Sequence, residues 1–355
     1  MACLTVLPQT LEVLKKHLLE REKLIYGTVD PPVMVECDFQ NGVWGTPQLV
    51  PYHNLSLDPS TKVFHYAQGI FEGMKAYYVD KKGPFLFRPE DNYKRFIESS
   101  IRLDIPKLPK DFFMDSVEGL VKHVTSYIPT ETRHSLYLRP FIIATENGLG
   151  ANSAKEFKFI IIAKVLKPYF EDQEDIGVYI ERNYGRVGRG CTGSVKAISN
   201  YASGMKIDRE ARDRGYKISL WLDSSEGRYI EELSGMNFFC VVDKVIYTPL
   251  LNDSILPGIT RDSVITLAKG MGYHLQEKDI EINELTLMHW DGCSEMFSCG
   301  TTATLMPISY LGELDGTKHR PHLAVGPIAE RLQKTLLDIQ EGRAEDPYGW
   351  VKKII

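Results

Sequence analysis

Leu11, Leu14, Leu18 and Leu19 recur at helical spacing among charged residues, which predicts an amphipathic helix over residues 11–24. From Val33 to Val50 the apolar runs are short and are broken by Asn41-Gly42, the signature of a two-residue hairpin between strands. Phe71 to Tyr78, then Lys81-Lys82-Gly83, then Phe85 to Phe87 reads as strand, turn, strand. Helical stretches are expected over 90–101 and 110–126. Ser135–Ala144 and Phe157–Val165 are rich in β-formers, and the second is so apolar that burial on both faces is expected.

Lys167 to Asp175 is polar and acidic and contains Pro168, so an interdomain linker is placed at 166–176. Beyond it the expected elements alternate: a helix over 200–213 ending near Gly215, a strand over 217–222, and a hairpin over 236–248 turning at Asp243-Lys244. A helix is expected to begin in Leu256-Pro257-Gly258-Ile259-Thr260-Arg261 and run to Lys269, and another to cover 326–340. No repeat of 20 to 50 residues is present. With 355 residues, more than the roughly 250–300 at which one core usually splits, two domains are expected, 1–165 and 177–355. The fold class is α/β (α+β).

Composition narrows the function more than the fold. Hydrophobic residues at 43% and charged residues at 25% are ordinary for a globular chain. A net charge of -5 supplies no basic surface for a phosphate backbone, so no nucleic-acid partner is expected. No secretory signal is evident at the N-terminus, no run approaches the 18 or so apolar residues of a membrane span, and the six cysteines form no C-x-x-C pair. A cytoplasmic location, reduced thiols and no membrane partner are therefore expected.

No metal site is expected: there is no H-E-x-x-H, and His319 and His322 read as a solvated loop. Gly188-Arg189-Gly190-Cys191-Thr192-Gly193 is a literal G-x-G-x-x-G. The apolar run Ile176 to Ile180 stops well before it and Ser194-Val195-Lys196 follows in place of a helix, so a flexible glycine loop competes with a dinucleotide site. Two places can present bare N–H groups to an anion: Pro257-Gly258-Ile259-Thr260 at a helix start, and Gly300-Thr301-Thr302 after the strand-like Glu295 to Ser298. Arg95 would add formal charge. A lysine that attacks a carbonyl must be desolvated or crowded by positive charge. Ser194, Val195 and Ala197 permit burial of Lys196, but spacing does not single it out from other lysines.

His65-Tyr66 with Phe71-Glu72-Gly73-Met74-Lys75-Ala76, Phe87-Arg88-Pro89 with Asn92 to Arg95, and Tyr137-Leu138-Arg139-Pro140 occur in series. Lys196 with Asn200-Tyr201, Glu232 with Met236-Asn237, Leu256 to Arg261, and Ser298 to Thr301 continue it. In this order the stretches resemble the branched-chain aminotransferases, fold-type-IV pyridoxal-phosphate enzymes, over nearly the whole chain. The resemblance implies that Lys196, carried by the C-terminal domain, holds pyridoxal 5′-phosphate as a Schiff base and acts as nucleophile and general base. It further implies that Tyr201 bonds the cofactor O3′, that Glu232 keeps the ring nitrogen protonated, and that Arg95, Ile259, Thr260 and Thr301 hold the phosphate. Tyr66, Phe71, Tyr137, Arg139, Gly235 and Thr302 would bind substrate.

The implied reaction is ping-pong transfer of an amino group from a hydrophobic, branched-chain L-amino acid to 2-oxoglutarate, in a homodimer whose other partners are its small-molecule amino and 2-oxo acids. Four departures bear on this. Ile198-Ser199 stand where the family has two glycines, Leu233-Ser234-Gly235 where it has Val-Gly-Thr, and Ala303 and Met306 where mammalian members have a redox C-x-x-C. Arg186 and Arg189 are extra cations in the loop before Lys196, placed to meet an anionic substrate group or to lie in solvent. The alternatives are a fold-type-IV aminotransferase for a modified or non-branched amino acid, a D-amino-acid or amine transaminase or lyase of the same fold, and a catalytically silent binding module.

Overall fold

The computed structural model describes residues 3–21, 29–168, 175–286 and 292–355. The chain forms two compact units, Met1–Pro168 with Lys196–Ser199 and Asp338–Ile355, and Tyr169–Val195 with Asn200–Leu337. Lys196 thus groups with the first unit, whereas the sequence reading gives it to the C-terminal domain. The reason is local, because its backbone is hydrogen-bonded there. Most of the 166–176 stretch read as a linker lies outside the described residues.

In the first unit the described residues build a ten-stranded sheet, in the order Thr5–Val6, Gln48–Pro51, Val33–Gln40, Phe157–Leu166, Ser135–Ala144, Met74–Tyr77, Phe85–Phe87 and Val351–Lys353, with two short strands off this path. Asn41 and Gly42 turn the first hairpin with φ of 54° and 81°, the doubly positive geometry that a two-residue loop requires, and Phe39 pairs with Trp44 across it. The long antiparallel pair runs from Ser135↔Leu166 to Ala144↔Phe157. Phe157–Leu166 is not buried on both faces as expected: Phe157, Phe159, Ile161 and Ala163 bury one face, while on the other only Ile160 is buried, Lys158 and Ile162 are half-buried and Lys164 is exposed.

The helices of this unit are α1 (Pro8–Arg21), α2 (Lys62–Tyr66), α3 (Pro89–Arg102) and α4 (Lys110–His123). Helix α4 buries Phe113, Met114, Val117, Leu120 and Val121, an ordinary apolar stripe. Phe113 meets Phe96 and Phe159 at ring-centroid distances of 5.2–6.1 Å, and each such buried ring contributes about 1.5–3 kcal/mol. Helix α3 starts with Pro89 in its first turn, Glu90 and Asp91 beside it, and Arg102 in its last turn, charges that suit the helix dipole. Its buried face, however, is Asn92, Arg95, Phe96, Ser99 and Ser100, while Ile101 is exposed. A mostly polar stripe at helical spacing is turned inward, which a core would not ask for.

The second unit has its own ten-stranded sheet among the described residues, in the order His274–Glu277, Val245–Thr248, Met236–Val242, Ile230–Leu233, Ile218–Leu222, Gly177–Glu181, Tyr310–Gly312 and Lys318–His319. Cys293–Gly300 pairs with Met236–Val242, and Thr304–Pro307 with Cys293–Gly300. Helices α5 (Met205–Asp213), α6 (Ile259–Gly270), α7 (Ile282–Thr286) and α8 (Pro327–Gln340) complete the set. Asp243 and Lys244 turn their hairpin at φ 48° and 68°. Two expectations shift: α6 begins at Ile259, after Pro257, with Gly258 extended as its N-cap, and the predicted loop at His319 is a short strand whose His319 pairs with Glu313 at 3.4 Å. No group of residues able to hold a metal ion occurs among the described residues.

Candidate active site

In the first unit, Glu72 is fully buried and filled with donors. Arg95 meets it through Nε at 2.7 Å and Nη2 at 2.8 Å, Asn92 Nδ2 donates at 2.7 Å, and the Gly73 N–H at 3.2 Å. Three of these donors meet Oε2 and one meets Oε1, so the carboxylate accepts as many bonds as the roughly four it can ordinarily take. Burial alone would raise the Glu72 carboxyl, but Arg95, Lys196 and Asn92 together hold it below the usual glutamate value. The network fixes Arg95 on the inward face of α3.

Lys196 lies in the same unit, fixed by its own backbone. Its N–H donates to Ser99 Oγ at 3.0 Å, its carbonyl accepts the Phe71 N–H at 3.1 Å, and Ala197 forms an antiparallel bridge with Ile70. Ile198 packs against Gly69: its Cδ1 lies 2.9 Å from where a Gly69 Cβ would sit. The larger residue that replaces a family glycine thus clamps the lysine segment onto the Gly69–Phe71 strand. The Lys196 ammonium is 4.9 Å from the Phe71 ring centroid, and the Arg139 guanidinium is 4.5 Å from the same centroid. Arg139 Nη2 donates to Tyr137 Oη at 3.0 Å, while its Nε is buried with no hydrogen-bond partner among the described residues. Tyr137 Oη would lie 2.1 Å from a Cβ at Gly73, so any larger residue there would have to displace the tyrosine side chain.

The structure therefore brings Lys196, Arg95, Phe71, Tyr137 and Arg139 into one cluster. Tyr66 stands apart at the end of α2, 41% exposed, with its hydroxyl donating to the Leu149 carbonyl. Lys196 is half-buried, whereas another lysine, Lys75 on the Met74–Tyr77 strand, is buried. Burial pushes it down to about 8, opposed by the negative charge of Glu341.

In the second unit, Glu232 is buried on the Ile230–Leu233 strand. It pairs with Arg186 at 3.0 Å and accepts Asn237 Nδ2 at 3.2 Å and the Leu256 N–H at 3.3 Å. Arg186 also donates to the Ser254 carbonyl. The cation read as a meeting point for a substrate anion is thus engaged by Glu232, while Arg189 is exposed. Burial raises the neighbouring Glu231 carboxyl, against the pull of its Ser254 bond and Arg186.

Asn237 ties this carboxylate to the start of α6. Its Nδ2 also donates to Leu256 O at 3.0 Å, and its Oδ1 lies 2.1 Å from where a Gly258 Cβ would be. Gly258 caps α6 with no side-chain bond, which leaves the first turn, Ile259 and Thr260, built from backbone donors of the kind that suit an anion. Thr301 and Thr302 lie in the turn after Cys293–Gly300, and Gly300 approaches the Gly235 carbonyl so closely that an added Cβ would be 3.3 Å from it. Gly235 has φ +117°, a conformation threonine would resist, with open space around it. The hydroxyl of Ser234 is engaged elsewhere, donating to Asp208 at 2.9 Å and accepting from Trp221 at 2.6 Å. Tyr201 is half-buried in the 3-10 turn Ile198–Gly204, where Asn200 bonds the carbonyls of Thr192 and Val195 at 2.7 and 2.9 Å.

Each unit taken alone carries residues that fit pyridoxal phosphate. One offers a lysine and a buried arginine, the other a buried carboxylate and a helix start without a side-chain cap. The sequence pattern does not single out Glu72, Ser99 or Asn237 as site residues, and it offers Arg186 to a substrate anion or to solvent where the structure pairs it with Glu232. A signal exists for Ser99, since it lies on the polar stripe of α3 with Asn92 and Arg95.

Comparison with known proteins gives the same direction. The family model for class IV amino-transferases matches residues 69–311. Branched-chain-amino-acid aminotransferase 2 of Bacillus subtilis (strain 168) is 37% identical over 343 residues, 96% of this chain and 94% of that protein. The crystal structure of the branched-chain aminotransferase of Thermoproteus uzoniensis with norvaline is 26% identical with a TM-score of 0.75, covering 91% of this chain and all of that one. The T.th. branched-chain amino acid aminotransferase with pyridoxamine 5′-phosphate is also 26% identical, with a TM-score of 0.73 and coverage of 90% and 98%.

Proposed function

The chain belongs to the class IV aminotransferases, and we propose that it moves the amino group of a branched-chain L-amino acid to 2-oxoglutarate, with pyridoxal 5′-phosphate as cofactor and the 2-oxo acid and L-glutamate as products. The observation that carries this reading is the placement of Lys196, whose ammonium lies over Phe71 with Arg139 on the same ring. When bound, the cofactor supplies an electrophilic aldehyde and an electron-accepting ring.

The residues divide the work by charge. Lys196 Nζ would hold the cofactor and would move a proton between the substrate α carbon and the cofactor C4′. Glu232 holds the ring nitrogen protonated, and Tyr201 donates to the ring oxygen O3′. Arg95, the N–H groups of Ile259 and Thr260, and Thr301 take the phosphate. Phe71 and Tyr137 form an apolar wall for the side chain, and Tyr66, which stands apart at the exposed end of α2, is assigned to the rim. Arg139 offers a cation for the distal carboxylate of 2-oxoglutarate, supported by its buried Nε. Gly235 and Thr302 border the substrate carboxylate.

We assign the active form as a homodimer, supported by the exposure of Phe64, Tyr66 and Leu149 on the first unit. The cytoplasmic setting is likewise proposed; no disulfide joins any of the six cysteines. The test is to load the protein with pyridoxal phosphate, add single L- and D-amino acids, and follow conversion to pyridoxamine phosphate by absorption. Leucine, isoleucine and valine should convert it, and 2-oxoglutarate should reverse it. Conversion by some other donor and by none of these three would overturn the substrate assignment.

A further inference from the structure

We infer that Ser99 is a positioning residue for Lys196, the point at which α3 sets the reactive lysine against the phosphate-binding arginine. The inference rests on the assignment of Lys196 as the cofactor lysine. Ser99 is fully buried one helical turn beyond Arg95, and its hydroxyl works in both directions. It donates to the Arg95 carbonyl at 2.8 Å and accepts the Lys196 N–H at 3.0 Å, a bond between residues 97 positions apart. A single oxygen thus links the backbones of the two residues. The far side of the lysine segment is held by the Phe71 N–H and the Ile70–Ala197 bridge, so loss of the Ser99 bond would free one edge of a two-edged clamp.

Ser100 supplies a control within the same helix. It too is fully buried and donates four residues back, to the Phe96 carbonyl at 2.9 Å. Ser99→Ala and Ser100→Ala each delete one hydroxyl and one such helical bond, but only the first takes this acceptor from the half-buried Lys196 N–H.

The test uses the full chain, freed of cofactor and then mixed with pyridoxal phosphate. Attachment, in which the lysine amine condenses with the aldehyde and water leaves, is followed by the growth of the visible band. Binding of pyridoxine 5′-phosphate, which has the ring and phosphate but no aldehyde, is measured in parallel, together with thermal stability. Ser99→Ala should slow attachment about tenfold, equivalent to about 1.4 kcal/mol, while pyridoxine 5′-phosphate affinity stays within about threefold of the unaltered protein. Ser100→Ala should attach the cofactor at the unaltered rate. Equal rates for Ser99→Ala and the unaltered protein would overturn the inference, as would equal slowing by both variants. An unaltered protein that develops no visible band would instead overturn the assignment of Lys196.

Discussion

The two units use the same device, a buried arginine–glutamate pair, with the roles exchanged. Under the proposed assignment, Glu72 is the support and Arg95 the working group in the first, and Arg186 is the support and Glu232 the working group in the second. The pair itself does not reveal which member serves. Saturation does in one case: Glu72 already accepts four hydrogen bonds, so its purpose is spent on holding Arg95, Asn92 and Gly73. A buried ion pair gives limited net stability against an apolar substitute, so its presence in both units is better explained by what each must hold in place.

Removing the support should therefore have different signatures. Glu72→Gln leaves Arg95 buried opposite a neutral amide and should cost about 3–5 kcal/mol, seen as a fall in Tm and weaker cofactor binding. An unchanged Tm would contradict the supporting role. The pH dependence has a fixed sign. Because the Glu72 carboxyl is held below its ordinary 4.5, its contribution is complete above that value and is lost as the pH falls through the lower folded-state value. Arg186→Gln should act on chemistry. Loss of the cation 3.0 Å from the Glu232 carboxylate should lower kcat about tenfold, equivalent to about 1.4 kcal/mol, with a smaller change in Tm than Glu72→Gln gives. An unchanged kcat would show that Arg186 does not support Glu232.

Smaller effects separate the units further. Lys75 is pushed from 10.5 to about 8 in the folded chain, so the folded state releases its proton first and stability should rise between pH 8 and 10.5, by on the order of 3 kcal/mol. Lys75→Met should remove that rise, as read from urea unfolding at several pH values; a rise that persists would assign it to other groups. Gly258→Ala would place a Cβ 2.1 Å from Asn237 Oδ1 and force that side chain off Glu232 and Leu256. The expected cost is about 1–2 kcal/mol, read as about tenfold weaker pyridoxal phosphate binding with little change in Tm. Wild-type affinity would mean that the start of α6 does not depend on Asn237.

What the sequence discloses follows from how local each cause is. The Asn41-Gly42 and Asp243-Lys244 turns need positive φ at two adjacent residues, and the Ser135–Ala144 strand needs only β-formers between breakers, so all three are readable. The start of α6 is harder to place because Gly258 is fixed by Asn237, from another strand. Lys196 cannot be distinguished from other lysines by its neighbours, since what holds it comes from Ser99 and Phe71, far away in the chain. Even desolvation would mislead: Lys75 is the buried lysine pushed to about 8, and it lies beside Glu341 rather than in the Phe71–Arg139 cluster. The polar face of α3 is a local sign of a site, beside the anion-suited turns at Gly258 and Gly300: a stripe that breaks the apolar rule.

The rivalry between those two lysines sets the most direct measurement. The protein loaded with pyridoxal phosphate is reduced with borohydride, digested, and the modified peptide is located by mass spectrometry. The account predicts that the phosphopyridoxyl group is found on Lys196; its recovery on Lys75, or on any other lysine, would contradict it.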